Sequence, residues 1–189
     1  LVHGNTLGHQ LKHQKKYSEE ECAYIIQQLA SAICHCHSSG VSHRDIKPDN
    51  IMIDEQLNVT LIDFGLSKLK SKNRFKSIIG SPLYMAPEVF SGKYNNKCDI
   101  WALGILLYHM ISGQKPFDGD NLEQVQESIQ NSKLKFPSEV WKKVSKECKD
   151  LIRKMIVVDY KKRYSAADVL SHPWIDSCDG STHHGSSSG

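Results

Sequence analysis

Three short polar motifs constrain this 189-residue chain more than any other feature of its sequence. They are HRDIKPDN at residues 43–50, DFG at residues 63–65 and APE at residues 86–88. A single HRD triplet carries little information, because three common residues recur together by chance. Three motifs in this order and at these spacings predict a fold that brings carboxylate, amide and amine side chains to one place.

The residue types in these motifs are those that phosphoryl transfer needs. We predict that Asp45 orients a substrate hydroxyl and accepts its proton, and that Lys47 supplies positive charge beside the migrating phosphoryl group. Asn50 and Asp63 offer the oxygen ligands that magnesium prefers. These four residues are the predicted catalytic set, and Asn50 and Asp63 are the predicted metal ligands. The alternative is a solvated polar loop in which the same Asp and Asn side chains cap turns.

Taken together, the motifs resemble those of the protein kinase family. A lysine two residues after Asp45, here Lys47, resembles the pattern of the serine/threonine branch. The resemblance covers residues 1–176 and implies a protein-kinase-like fold, α+β overall. This chain is expected to be its mainly α-helical large lobe with short β-hairpins, beginning at the end of the hinge (residues 1–4). No glycine-rich loop, strand-borne lysine or partner glutamate precedes residue 43, so the small lobe is expected to be absent. Residues 177–189 are expected to be a disordered tail or a cloning remnant.

The resemblance implies ATP and Mg²⁺ as cofactors. Val2 aligns with the hinge residue whose backbone bonds the adenine edge, and Met52 aligns with the apolar floor beneath adenine. An ordinary core role for Met52 stays open. Lys47, Asn50 and Asp63 are the remaining predicted nucleotide-binding residues.

The segment between the second and third motifs resembles a kinase activation segment. Ser77 falls at the position of the activating phosphoacceptor, and Arg44 and Lys68 align with the cations that would bind its phosphate. Residues 66–76 carry four lysines, one arginine and no acid. Phosphorylation could therefore order this loop, or the loop could be a solvated surface.

Substrate-binding residues are also implied by the resemblance. Those aligned with the pocket for the residue after the phosphoacceptor are Ile78, Ser81, Pro82 and Met85. Asp49 matches an acidic position of arginine-directed kinases. Thr6 and His109 stand where such kinases carry glutamates, which argues against a strong preference for several arginines.

The resemblance further implies scaffold residues. Glu88 and Arg163 resemble a buried ion pair, and Asp99 resembles the aspartate that holds the catalytic-loop backbone.

Ser18 and Glu21 form a capping box before an amphipathic helix that ends at Gly40. We also predict a hairpin from residues 51–53 and 59–62, a buried helix at 98–111, and helices near 121–131, 138–144, 147–157 and 165–170.

Composition narrows the range of partners. The formal net charge of +3 is too small to indicate nucleic acid, and no apolar run approaches a membrane span. Six cysteines without a Cys-x-x-Cys pair favour reduced thiols and a cytoplasmic or otherwise intracellular location.

The expected partners are protein substrates with Ser or Thr and the missing small lobe. Residues 80–88 and 172–174 resemble calcium/calmodulin-dependent and calcium-dependent kinases, so calcium-linked regulators outside this chain are also expected.

These observations predict a protein serine/threonine kinase that transfers the γ-phosphate of ATP, present here as a large lobe with little activity alone. The first alternative is a catalytically silent kinase-like module that acts by binding. Asp45, Lys47, Asn50 and Asp63 are all retained, which argues against it. The second is a small-molecule phosphotransferase, which the APE motif argues against.

Overall fold

The computed structural model describes residues 5–14, 16–64, 82–92 and 95–176. The strands are β1 Asn5–Thr6, β2 Ile51–Ile53 and β3 Val59–Leu61. The helices are α1 Leu7–Gln14, α2 Glu19–Ser38, α3 Pro87–Phe90, α4 Lys97–Ser112, α5 Leu122–Asn131, α6 Ser138–Trp141, α7 Lys146–Met155, α8 Ala166–Leu170 and α9 Pro173–Asp176. The predicted, mainly helical organisation with a short β-hairpin is confirmed.

Helix α2 begins at the predicted capping box. The Ser18 hydroxyl accepts a hydrogen bond from the Glu21 N–H at 3.1 Å, and the Glu21 carboxylate accepts one from the Ser18 N–H at 2.7 Å. Two otherwise unsatisfied donors of the first turn are therefore paired. The chain leaves the helix through Gly40 in the left-handed region, at φ 73°. Because α2 packs against α4 and α8, its end delivers residues 43–50 to a fixed place.

Helix α4 is the centre of the core. Its side chains are buried on nearly every face, including Trp101, Leu103 and Ile105, each at 0% exposure. The helix ends at Gly113, whose φ of 72° permits the left-handed cap. A helix that is apolar all round must be enclosed by other elements, and α2 and α7 pack against it. Among the described residues, no helix is both long and apolar enough to cross a membrane.

The three strands form one antiparallel sheet in the order β1-β2-β3. Met52 of β2 lies opposite Thr6 of β1 and Thr60 of β3. The predicted β2–β3 hairpin is confirmed, with its second strand ending at Leu61. Strand β1 and helix α1 were not predicted from the sequence.

Some predicted boundaries were wrong. The helix predicted at 138–144 is the single turn Ser138–Trp141. Helix α9 was not predicted; it begins at Pro173, because proline is well tolerated at the first helical position. Two further elements were not predicted: Pro82–Tyr84 is a 3-10 turn and Pro87–Phe90 is a short helix.

Candidate active site

Asp99 of helix α4 binds the backbone of the loop that begins at His43. Asp99 is 1% exposed; its Oδ2 accepts the His43 N–H at 2.9 Å and its Oδ1 accepts the Arg44 N–H at 2.7 Å. These bonds fix Arg44 at φ 68°, a region that non-glycine residues rarely adopt. Asp99 therefore holds the loop that carries Asp45, as its resemblance to the family's aspartate implied.

His37, at the end of α2, shares this anchor, a contact that the sequence analysis missed. Its Nε2 lies 2.8 Å from Asp99 Oδ2, so a protonated Nε2 donates to the carboxylate that holds the loop. The available signal was weak: a histidine in a helix that feeds the HRD motif. Its partner lies in α4, 62 residues away, and periodicity carries no information about such a pair.

Three predicted catalytic side chains converge within this loop. Asp45 Oδ2 accepts a hydrogen bond from Lys47 Nζ at 2.9 Å and another from Asn50 Nδ2 at 2.9 Å. Asn50 Nδ2 also donates to the Asp45 carbonyl at 2.8 Å. Both side-chain contacts fall on Oδ2, and the Asp45 side chain is 27% exposed. The carboxylate is thus fixed in orientation yet remains accessible.

Asp63 is tied to the same loop through its neighbour in sequence. The Ile62 N–H donates to the Asn50 carbonyl at 2.9 Å, and His43 Nε2 lies 3.0 Å from the Ile62 carbonyl oxygen. Asp63 follows in the left-handed region at φ 62° and is exposed. The DFG aspartate is therefore joined to Asn50 by backbone bonds across β2 and β3.

His43 packs against an aromatic side chain at this junction. His43 is 1% exposed, and its ring lies edge-to-face with Phe64 at 4.6 Å between centroids. Phe64 itself is 40% exposed. Met52, the predicted adenine floor, is half-buried in the central strand β2.

The described substrate-side residues lie beside this loop. Tyr84 and Met85 line one cavity together with Arg44, Asp45 and Lys47. Pro82 is half-buried and begins the 3-10 turn that carries Tyr84. Five further predicted site residues lie outside the described residues: Val2, Lys68, Ser77, Ile78 and Ser81.

Tyr84 makes a contact that the sequence analysis did not anticipate. Its hydroxyl oxygen lies 2.7 Å from His109 Nδ1 of α4. Burial, followed by the positive charge of Lys115, lowers the pKa of His109 to about 4. Burial, with the charge of Asp49 as the second cause, raises the pKa of Tyr84. At neutral pH a phenol therefore faces a neutral imidazole, whose Nδ1 can accept the hydrogen bond that the hydroxyl donates.

This depressed pKa predicts a pH dependence of stability. An unfolded histidine has a pKa near 6.5, so below about pH 6.5 the unfolded chain binds a proton that the folded chain excludes. The contribution is fully present above that value and is lost as the pH falls towards the pKa of His109, about 4. In urea unfolding between about pH 7 and pH 5, we expect a His109→Gln variant to lose less stability than the wild type. His13→Gln, which makes the same replacement at an exposed histidine of α1, is the matched control. Equal pH dependence in His109→Gln and wild type would contradict the prediction.

A buried ion pair joins the APE motif to the helical base. Arg163 Nη1 and Nη2 donate to Glu88 Oε1 and Oε2 at 2.6 and 2.8 Å. The two side chains are 0% and 5% exposed. The geometry is the bidentate one that gives such pairs their strength. The predicted pairing of Glu88 with Arg163 is confirmed.

Comparison with known proteins identifies the fold that holds this arrangement. The family model described as protein kinase domain matches residues 1–175. The chain belongs to the protein kinase family. Its kinase fold, represented by the mainly helical large lobe with a small sheet, agrees with the predicted fold class.

The individual relatives that match this chain are kinases by name. Serine/threonine-protein kinase PEPKR2 of Arabidopsis thaliana is 43% identical over 176 residues, covering 93% of this chain and 37% of that protein. Calcium-dependent protein kinase 5 of Plasmodium falciparum is 36% identical, covering 93% and 32%. Myosin light chain kinase A of Dictyostelium discoideum is 36% identical, covering 94% and 62%. The chain thus spans from about a third to less than two thirds of the length of these relatives.

Proposed function

We propose that this chain is the large lobe of a protein serine/threonine kinase, which transfers the γ-phosphate of ATP to serine and threonine hydroxyls of proteins. The observation that carries the proposal is the Asp45 carboxylate, which is fixed by Lys47 and Asn50 and joined through Asn50 to the DFG segment. A merely structural polar loop does not require a partly exposed carboxylate with two side-chain donors on one oxygen. Family membership supports the same function.

In the proposed mechanism each residue acts on a defined atom. Asp45 orients the substrate hydroxyl and takes its proton as the oxygen–phosphorus bond forms, while the bond to the leaving ADP oxygen breaks. Lys47, 2.9 Å from Asp45 Oδ2, places an ammonium where negative charge spreads over the phosphoryl oxygens. The fixed loop supplies the orientation, so little reorganisation is needed during transfer.

The donor set fits a magnesium ion. The two side-chain hydrogen bonds from Asn50 to Asp45 use Nδ2, so Oδ1 is the atom that would bind the ion, and Asp63 would contribute a carboxylate. Magnesium commonly takes one or two protein oxygens and completes its shell with water and phosphate oxygens. When bound, it would neutralise charge on the phosphates. Met52 and Val2 stay the predicted adenine contacts.

Regulation and boundaries are part of the proposal. Ser77, with Arg44 and Lys68, stays the predicted activating phosphosite, and residues 177–189 stay a predicted tail beyond the lobe. Calcium dependence is in the name of one relative described above, which supports a calcium-linked regulator outside this chain. Binding of a protein partner without any phosphorylation would favour the silent-module alternative.

We expect the 189-residue chain alone to be nearly inactive. A nucleotide held by one lobe lacks the loop that covers its phosphates, and loss of positioning costs rate steeply. Turnover of a serine peptide should be at least about 100-fold below that of a longer form that supplies the small lobe. The measurement uses radiolabelled ATP with Mg²⁺, followed by phosphoamino-acid analysis.

Two outcomes would count against these proposals. Robust peptide phosphorylation by the isolated chain would refute the need for a small lobe. Absence of phosphoserine and phosphothreonine with the longer form, after a peptide library has been tried, would refute the kinase function and favour the silent module.

A further inference from the structure

A lysine that the proposed mechanism does not use lies close to the catalytic loop. Helix α4 ends at Gly113, and two residues later Lys115 Nζ lies 5.6 Å from the centroid of the Tyr84 ring. The Tyr84 hydroxyl in turn contacts His109 Nδ1. We refer to Tyr84, His109 and Lys115 as the Tyr84 cluster.

The Tyr84 cluster adjoins the place where a peptide would be phosphorylated. Tyr84 lines the same cavity as Asp45 and Lys47, and it directly precedes Met85 of the predicted substrate pocket. Burial is the main cause of the raised pKa of Tyr84, and the negative charge of Asp49, in the catalytic loop, is the second cause. The same charge opposes the lowering of the pKa of Lys115. A peptide that brings its hydroxyl to Asp45 therefore enters the cavity that Tyr84 lines, and the Lys115 ammonium lies 5.6 Å from the centroid of that tyrosine ring.

The charges around Lys115 leave a cation without a close anionic partner. Within the described residues, no carboxylate oxygen lies within 4.0 Å of Lys115 Nζ. His109 is neutral at physiological pH, since its pKa is about 4. Asp49 packs against Gly8 of α1 and makes no ion pair with Lys115. Its Oδ1 lies 2.6 Å from the position that a Cβ on Gly8 would have. Its carboxylate is thus turned against the first turn of α1.

The environment of Lys115 also makes an incoming anion favourable. The side chain is half-buried, and desolvation is the main reason that the pKa of Lys115 is lowered. The face of the Tyr84 ring compensates only part of that cost. An anion placed beside the ammonium would recover more of it, since an opposite charge favours the charged form.

We propose that Lys115 is a specificity-determining residue that binds an acidic side chain of the protein substrate close to the phosphoacceptor. This inference rests on the proposed kinase function and adds a substrate class to it. A glutamate or aspartate would pair with the Lys115 ammonium over Tyr84. A lysine or arginine at the same peptide position would meet a like charge in a half-desolvated site.

The test is a positional scan with the longer, active form of the protein. Peptides with one serine carry Glu, Gln or Lys at each neighbouring position in turn, and kcat/KM is measured for each. At one or more positions we expect the Glu peptide to exceed the Lys peptide by about fivefold, which corresponds to about 1 kcal/mol. The Glu-to-Lys ratio should fall to about one in Lys115→Met, invert in Lys115→Glu and persist in Lys115→Arg.

Lys142→Met is the matched control, because Lys142 is an exposed lysine of the α6 region outside the Tyr84 cluster. Its Glu-to-Lys ratio should equal that of the wild type. The inference is overturned if the wild type phosphorylates all three peptides equally, or if Lys115→Met keeps the wild-type ratio. If no peptide is phosphorylated, the kinase function itself fails and this inference fails with it, so the two failures are distinguishable. A ratio within one variant does not depend on the fraction of folded enzyme.

Discussion

Replacing Asp45 by Asn is expected to lower kcat by about 100-fold or more, the scale of losing a general base. The substitution preserves shape, and the new amide oxygen can still accept from Lys47 Nζ and Asn50 Nδ2, which now lie 2.9 Å from Asp45 Oδ2. What disappears is the atom that takes the hydroxyl proton. Asp63→Ala, which removes the predicted metal ligand, should lose activity on the same scale.

The measurement is peptide phosphorylation by the longer form at saturating ATP and Mg²⁺. Asp54→Asn is the matched control. Asp54 is a carboxylate in the β2–β3 turn that accepts bonds from the Gln56 and Asn58 N–H groups, and Asn can make the same turn. Its rate should remain close to that of the wild type. A near-normal rate in Asp45→Asn would reassign Asp45 to a structural role in the loop.

The parts of the fold that follow local rules were predictable. The capping box at Ser18 and Glu21 marks the start of α2 because both partners lie within four residues of each other. The apolar composition of residues 98–111 predicts a helix buried on all sides, and α4 extends one residue further at each end. The capping box depends on local contacts. The prediction of the buried helix depends only on the number of apolar residues.

Elements that depend on distant partners were missed. Strand β1 is only two polar residues, and it is a strand because Asn5 and Thr6 pair with Ile53 and Met52. Helix α1 contributes Leu7 and Leu11 to the core, too few apolar positions to define a helical period. Such elements acquire their structure from the surface on which they lie.

The candidate site divides in the same way. The motif residues of the loop could be named from the sequence because their spacing is distinctive. The contacts of Asp99 with His37, and of Tyr84 with His109 and Lys115, join segments far apart in the chain. No spacing rule connects them. The proposed role of Lys115 in substrate specificity could therefore be found only from the folded structure.

The second large effect is expected at Arg163. An Arg163→Met substitution should lower the free energy of unfolding by about 3–5 kcal/mol, because it leaves the buried Glu88 carboxylate without its partner. The same guanidinium donates to the carbonyls of Lys97 and Val157 at 2.8 and 2.9 Å, and it lies 5.1 Å from the Trp101 ring. Methionine retains an apolar side chain of similar length but replaces none of these hydrogen bonds. Urea unfolding followed by tryptophan fluorescence measures the loss.

The neighbouring Lys162 provides the control for this experiment. Lys162 Nζ lies 4.0 Å from Asp159 Oδ2, with side chains 81% and 48% exposed, so Lys162→Met should cost less than about 0.5 kcal/mol. Both substitutions remove one positive charge and introduce the same side chain, which leaves burial as the difference between them. Equal destabilisation of the two variants would mean that Glu88 is satisfied without Arg163. A large difference would show that the APE segment, and with it Tyr84 and Met85, is held to the helical base through this pair.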